Sequence, residues 1–255
     1  MGKGIENIMI FISNNSNGST FFVNFFAFYL TSYYRDPRIL KVSILNAKKV
    51  LNGDISNDKN FVHKKSFFED SLGVTNFTYY AKGFSNLNIC LSPEEYFDVN
   101  KMSILKKKIE SLSKDFIHVL IDLDDFDSPL ITDLYNSARN TVLVTCPNKN
   151  GLNFTANKTE HIKKINPNNN VHVLLNKVKV GSRFHEDMKN DIKKNSKEKR
   201  YILLNNTVRD SVEVQKVNLV DEYLNYKHYE MNVFKDLENA YEEIKERCLI
   251  TDFLW

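Results

Sequence analysis

The stretch Ser13-Asn14-Asn15-Ser16-Asn17-Gly18-Ser19-Thr20 follows the apolar run IMIFI (8–12) and precedes FFVNFFAFYLTSYY (21–34). A polar, turn-forming loop between a buried strand and a helix aims backbone N–H groups at one point. The helix N-terminus adds a favourable dipole there. The chemistry this supports is anion binding, phosphate above all. Asn15 and Asn17 tolerate the left-handed backbone that such loops require better than other non-glycine residues. Yet residues 13–20 carry no cationic side chain. One charge pair at 4 Å is worth about 4 kcal/mol at an effective dielectric near 20, or roughly three orders of magnitude in affinity. The helix dipole returns only about 1–2 kcal/mol.

A second polar group is Asp122, Asp124, Asp125 and Asp127, which begins near the end of the strand-like run HVLIDL (118–123). A carboxylate at the end of a buried strand suits a magnesium-side ligand, and Asp122 is the candidate. The three later acids read as loop and cap residues ahead of Pro129. A calcium loop is excluded, because Phe126 and Asp127 stand where a liganding Asp or Asn and the obligatory Gly belong. His185-Glu186 begins like H-E-x-x-H, but position 189 is Lys. No G-x-S-x-G elbow exists, and the other histidines make no metal spacing. Cys90, Cys146 and Cys248 are far apart and odd in number, which argues against a disulfide framework and for a reduced, cytoplasmic setting.

These residues need a scaffold. Short apolar runs at 8–12, 38–46, 87–91, 118–123, 140–146, 171–176 and 201–205 predict strands that are mostly buried on both faces. Helices are expected over 21–34, 101–114, 128–138, near 151–165, over 182–197, and within the last 25 residues. Residues 47–86 read as irregular. Strands alternating with helices predict an α/β fold with a single doubly wound, mostly parallel sheet flanked by helices, in one domain over 1–255.

Composition is consistent with this. The chain has 255 residues, 42% hydrophobic and 12% aromatic, enough to bury a normal core and to exclude general disorder. A net charge of +3 is too small to announce a nucleic-acid binder. The strongest basic patch is KNDIKKNSKEKR, with Lys189, Lys193, Lys194, Lys197, Lys199 and Arg200. Asp191 and Glu198 interrupt it, so it reads as a solvated helix face or as a weak, nonspecific DNA contact. From Ile8 to Tyr34 there is no charge, but polar residues split the run. It falls short of the ~20 apolar residues that a membrane span needs.

Taken together, the strand–loop–helix at 8–34 resembles the deviant Walker A loop of the ParA/MinD family of partition and positioning ATPases. That family's pattern is K-G-G-x-G-K-[ST]-T, against Ser13 to Thr20 here. Asn24 and its helix resemble the family's TTxxxNLA helix. HVLIDLDDFDSPLITDLYNSA (118–138) resembles the switch II strand, loop and helix, with Asp122 at the switch acid. VLVTCPN (142–148) and VHVLLNK (171–177) resemble two later strands that place Pro147 and Asn176 on the adenine side. LLNNTVRDSVEVQKV (203–217) resembles the family's tvIPRSVxLxEA segment.

The resemblance implies a P-loop NTPase-like fold, ATP or ADP with magnesium held by Ser19 and Asp122, a homodimer or a related subunit, an adaptor protein, and nonspecific DNA. The departures lie in the charges. Ser13 and Gly18 stand where the two loop lysines belong, and Asn46-Ala47-Lys48-Lys49 replaces the D-x-D-P of switch I. Lys48 and Lys49 could face the phosphates from that strand or be solvated loop charges. Loss of the switch I acid removes a group that positions the attacking water, and positioning is most of phosphoryl transfer.

Three readings therefore remain open. The first is a divergent partition or positioning protein with weak or altered nucleotide binding and impaired hydrolysis. The second is a pseudo-ATPase scaffold that works without any cofactor. In the third, a partner subunit's lysine or arginine rescues hydrolysis.

Overall fold

The computed structural model describes residues 5–14, 18–33, 38–46, 79–81, 84–91, 97–123, 129–210 and 232–248. Lys48, Lys49, Asn15, Ser16, Asn17 and the acids at 124, 125 and 127 lie outside them. Eight strands form one sheet in the order β3-β4-β2-β5-β1-β6-β7-β8. They are β1 (Ile5–Ser13), β2 (Ile39–Asn46), β3 (Tyr79–Ala81), β4 (Phe84–Leu91), β5 (His118–Leu123), β6 (Ala138–Thr145), β7 (Asn170–Leu175) and β8 (Ile202–Leu203). Every pairing is parallel except β3 with β4, where Ala81 faces Phe84.

The expected α/β architecture, a doubly wound and mostly parallel sheet, is therefore what the chain adopts. β4 starts three residues earlier than its apolar pattern implies. Ser85, Asn86 and Asn88 disguise a strand whose Leu87 and Ile89 are buried.

The helices are α1 (Ser19–Tyr33), α2 (Val99–Leu112), α3 (Pro129–Ser137), α4 (Lys149–Ile165), α5 (Arg183–Lys199) and α6 (Asn232–Cys248). Side-chain caps start three of them. Asp98 accepts from the backbone N–H groups of Asn100 and Lys101, Asn148 from Gly151, and Ser182 from His185. Arg200, in the left-handed region at φ 59°, ends α5.

Strand alternation divides the core. Ile8, Ile10, Ile12, Val42 and Ile121 face α2–α5 through Leu105, Ile131, Phe154, Ile162 and Ile192. Met9, Phe11, Ile39, Leu120 and Val142 face α1 and α6 through Phe22, Phe26, Leu237 and Tyr241. α1 is so rich in phenylalanine because it lies between the sheet and α6, with Phe22 and Phe26 each packed on both Phe11 and Tyr241. Burying one such ring contributes about 2–3 kcal/mol.

Glu243 on α6 fastens the segment after β8. Its carboxylate accepts from the backbone N–H groups of Asn205 and Asn206, from the Asn206 amide and from Arg247. Burial alone would raise its pKa, but these donors hold it below the ordinary carboxylate value. Among the described residues, no helix is long and apolar enough to cross a membrane.

Candidate functional site at the carboxyl edge of the sheet

Strand order reverses around β1, which lies between β5 and β6. Ligands of open α/β sheets bind outside the carboxyl ends of the strands at such a switch point. The candidate loop leaves β1 at Ser13 and enters α1 at Ser19, so it occupies that place. Its two ends are held together: the Ser13 hydroxyl donates to Ser19 Oγ at 2.9 Å. Gly18 supplies the carbonyl that accepts from Phe22 N–H, the first full turn of α1. Ser19 is 7% exposed, whereas Thr20 is exposed.

Gly18 has φ +90°, and a Cβ there would come within 2.9 Å of the Asn176 amide nitrogen. The residue at the position of the loop's second lysine is thus glycine for a conformational reason too. Gly18→Lys is expected to lower stability by about 1–2 kcal/mol through left-handed strain. Urea denaturation checks this, and unchanged stability would show that the loop relaxes around a side chain.

Neighbouring strand ends complete the edge. Asn176 N–H donates to the Thr145 carbonyl at 2.7 Å, and Asn148 N–H donates to that of Cys146 at 2.8 Å. This ties the end of β7 to the buried Pro147 corner. Pro147 and Asn176 therefore converge on the same edge as Gly18. Beside Asn14 opens a cleft of about 480 Å³ lined by Asn150, Asn153, Phe154, Asn157, Lys158 and His161 of α4. Sequence reasoning overlooked this set. Its signal is the helical spacing of Asn150, Asn153, Asn157 and His161 on one face.

Asp122 lies directly beside Phe11 of β1 on one side and Ser43 of β2 on the other. It is 1% exposed. Two residues back from Ser43 on the same face stands Lys41, which is 6% exposed. Burial pushes the Lys41 ammonium pKa below its ordinary value, while the charge of Asp122 pulls it back up. Lys41 is a further residue that the sequence pattern did not single out, since nothing in RILKVSILN pairs it with Asp122.

The basic candidates lie elsewhere. Lys193, Lys194 and Arg200 are exposed and Lys189 is half-buried, along and just after α5. That helix packs against α4 and β8. For Lys197 and Lys199 the described structure is backbone only.

A parallel sheet wound on both sides, with a strand–loop–helix at its switch point and a buried strand-end carboxylate beside it, defines a P-loop-type α/β fold. The particular fold is the ParA/MinD-like one. A ParA family ATPase from Chlorobium tepidum TLS superposes with a TM-score of 0.74 at 14% identity, over 93% of this chain and 99% of that one. The cell-division ATPase MinD of Pyrococcus furiosus gives 0.69 at 18% identity, over 95% and 99%. A Borrelia burgdorferi B31 protein assigned to plasmid partition, bound to AMPPNP, gives 0.69 at 12% identity, over 95% and 100%. No protein-family model matches the sequence, and no curated protein matches it.

Proposed function

We propose that this chain is a ParA-like partition or positioning protein, one domain over residues 1–255, whose nucleotide binding is weak or altered and whose hydrolysis is impaired. The observation that carries this reading is the loop at the switch point: closed from Ser13 to Ser19, backed by Asn176, and lacking any cationic side chain. In the reading, backbone N–H groups and the start of α1 meet the phosphates, and Pro147 and Asn176 lie toward the base. Lys48 and Lys49 contribute charge from the end of β2. Self-association, an adaptor partner and nonspecific DNA contacts through Lys189, Lys193, Lys194, Lys197, Lys199 and Arg200 belong to the same proposal.

Titration with mant-ATP tests it. Without the loop lysines, the dissociation constant is expected near or above about 0.1 mM, roughly three orders weaker than a lysine-bearing loop would give. Micromolar binding accompanied by phosphate release would overturn the weak-binding reading. No binding at millimolar ligand would remove the nucleotide altogether.

A second reading has an observation of its own. Lys41 places a buried amine on the same face as Asp122, one step along the register, which favours a scaffold that works without nucleotide or metal. It predicts that ATP leaves the oligomeric state unchanged in sizing experiments.

A further inference from the structure

The fold implies a magnesium ion at this edge, held by the first hydroxyl of α1 and the carboxylate of β5. We infer that the residues present do not fit it: Lys41 is the internal counter-charge of Asp122, so the loop takes its anion without a divalent cation. This rests on the reading of residues 13–20 as an anion site, and it deepens that reading by naming the ligand class as a phosphate-bearing anion free of metal.

Strand alternation puts these groups on one face. Ile39 and Leu120 belong to the cluster under α1. Lys41, Ser43 and Asp122 follow them at two-residue steps and therefore face the same way. Ser43 pairs directly with Asp122 in the β2–β5 register, and Lys41 pairs with Leu120, one step back. Diagonal neighbours on one face lie within reach of a long side chain. α1 packs over both β2 and β5, so this buried polar group lies beneath that helix. Lysine and aspartate buried so close make a net-neutral group, whether or not the proton has moved between them.

A divalent ion would find the wrong donors there. Magnesium requires near-octahedral oxygen ligands and dehydrates reluctantly. Asp122 already shares its charge or its proton with Lys41, so a divalent ion beside it would either meet a neutral carboxyl or oppose the lysine ammonium in a low dielectric. Ser19 Oγ, the other expected ligand, is hydrogen-bonded to the Ser13 hydroxyl at 2.9 Å, so a metal would have to share it. A lysine on β2 therefore stands in electrostatically for the metal, while the loop's own lysines are replaced by Ser13 and Gly18.

The test combines two arms on the full chain. In the first, mant-ATP affinity of the unaltered protein is measured in millimolar magnesium and in EDTA. The ratio is expected to stay within about threefold, whereas tightening by magnesium of about tenfold or more would overturn the inference. The second arm needs no nucleotide. Lys41→Met, Asp122→Asn and the double variant form a stability cycle in urea. Asp122→Asn strands a buried lysine, so Lys41→Met added to it is expected to recover at least about tenfold in the folding equilibrium constant. Recovery below about threefold would sink the pairing. Should a single variant fail to fold while the double variant folds, that too supports the pairing. If the double variant also fails, the magnesium ratio decides, or, where mant-ATP does not bind, the urea midpoint of the unaltered protein with and without magnesium. An unchanged midpoint supports the inference, and a magnesium-stabilised protein overturns it. Absence of mant-ATP binding would defeat the anion-site reading alone, so the two failures are distinguishable.

Discussion

Acidification from pH 7 to pH 5 is expected to remove about 4 kcal/mol of folding stability, through two histidines buried in the sheet. His118 opens β5 at 4% exposure, and His172 lies within β7 at 2%. Burial lowers the pKa of each from 6.5 to about 4. For His172, Arg247 and Lys163 push further down and Glu243 pushes back. Neither of its ring nitrogens has a hydrogen-bond partner among the described residues.

The sign follows from proton counting. Between the two values the unfolded chain takes up protons that the folded chain refuses, so stability falls as the pH falls through 6.5 toward 4. The full difference is worth about 3 kcal/mol for each residue, of which roughly 2 is lost by pH 5. Ordinary carboxylates titrate near 4, so this window belongs mainly to histidine. Against a typical total of about 5–15 kcal/mol, the protein should approach unfolding near the lower end. Urea midpoints at the two pH values measure the effect. His172→Leu should halve the pH dependence, and equal midpoints for the unaltered protein would refute it.

Why these histidines, and Lys41 with them, escape a reading of the sequence is a matter of what makes a position buried. IMIFI announces a central strand because five apolar residues in a row can only be covered on both faces, and the shorter Val119-Leu120-Ile121 in HVLIDL points the same way while leaving His118 unexplained. The loop between β1 and α1 announces itself by contrast with them. His172 in VHVLLN and Lys41 in RILKVSILN are lone polar positions in runs read as mostly buried, and the run itself does not say what covers each of them. They are covered only because α6 and α1 lie across their face of the sheet, and those helices come from distant parts of the chain. β4 was partly hidden for the same reason: its asparagines belong to a strand whose partners, β2 and β3, are set by topology.

Around the site the division is similar. The run 13–20, Asp122, Pro147 and Asn176 were legible because each ends or follows an apolar strand, and parallel strands bring those ends to one edge. The approach of Asn176 to Gly18 and the face of Lys41 were not, because they depend on register. Register also explains how the charge pattern inverts. Cations are missing from the loop where the resemblance requires them, and one is present beneath α1, where an apolar residue would be cheapest.

Gly151→Ala should be the most damaging single-methyl change near the site, with an expected loss of about 3 kcal/mol. Helix propensity by itself would make alanine the better residue at position 151, by about 1 kcal/mol. The structure reverses that sign. A Cβ at position 151 would lie 2.0 Å from the Cys146 carbonyl oxygen and 2.6 Å from Thr145 Oγ1. The first of these contacts is backbone at the end of a central strand, so it cannot yield by rotating. The first turn of α4 must move outward instead. That movement pulls Gly151 N–H from its Asn148 cap at 2.8 Å, worth about 1 kcal/mol. It also loosens Phe154, Thr155 and Ile162 from the core. The same displacement shifts the Pro147 corner and the Asn-lined cleft together, because both hang on this turn. Urea denaturation and hydrogen exchange across residues 149–165 should report the loss together, with exchange accelerated first at the N-terminal turn. An alanine variant as stable as the parent would mean that β6 and α4 are spaced more widely than this close approach requires.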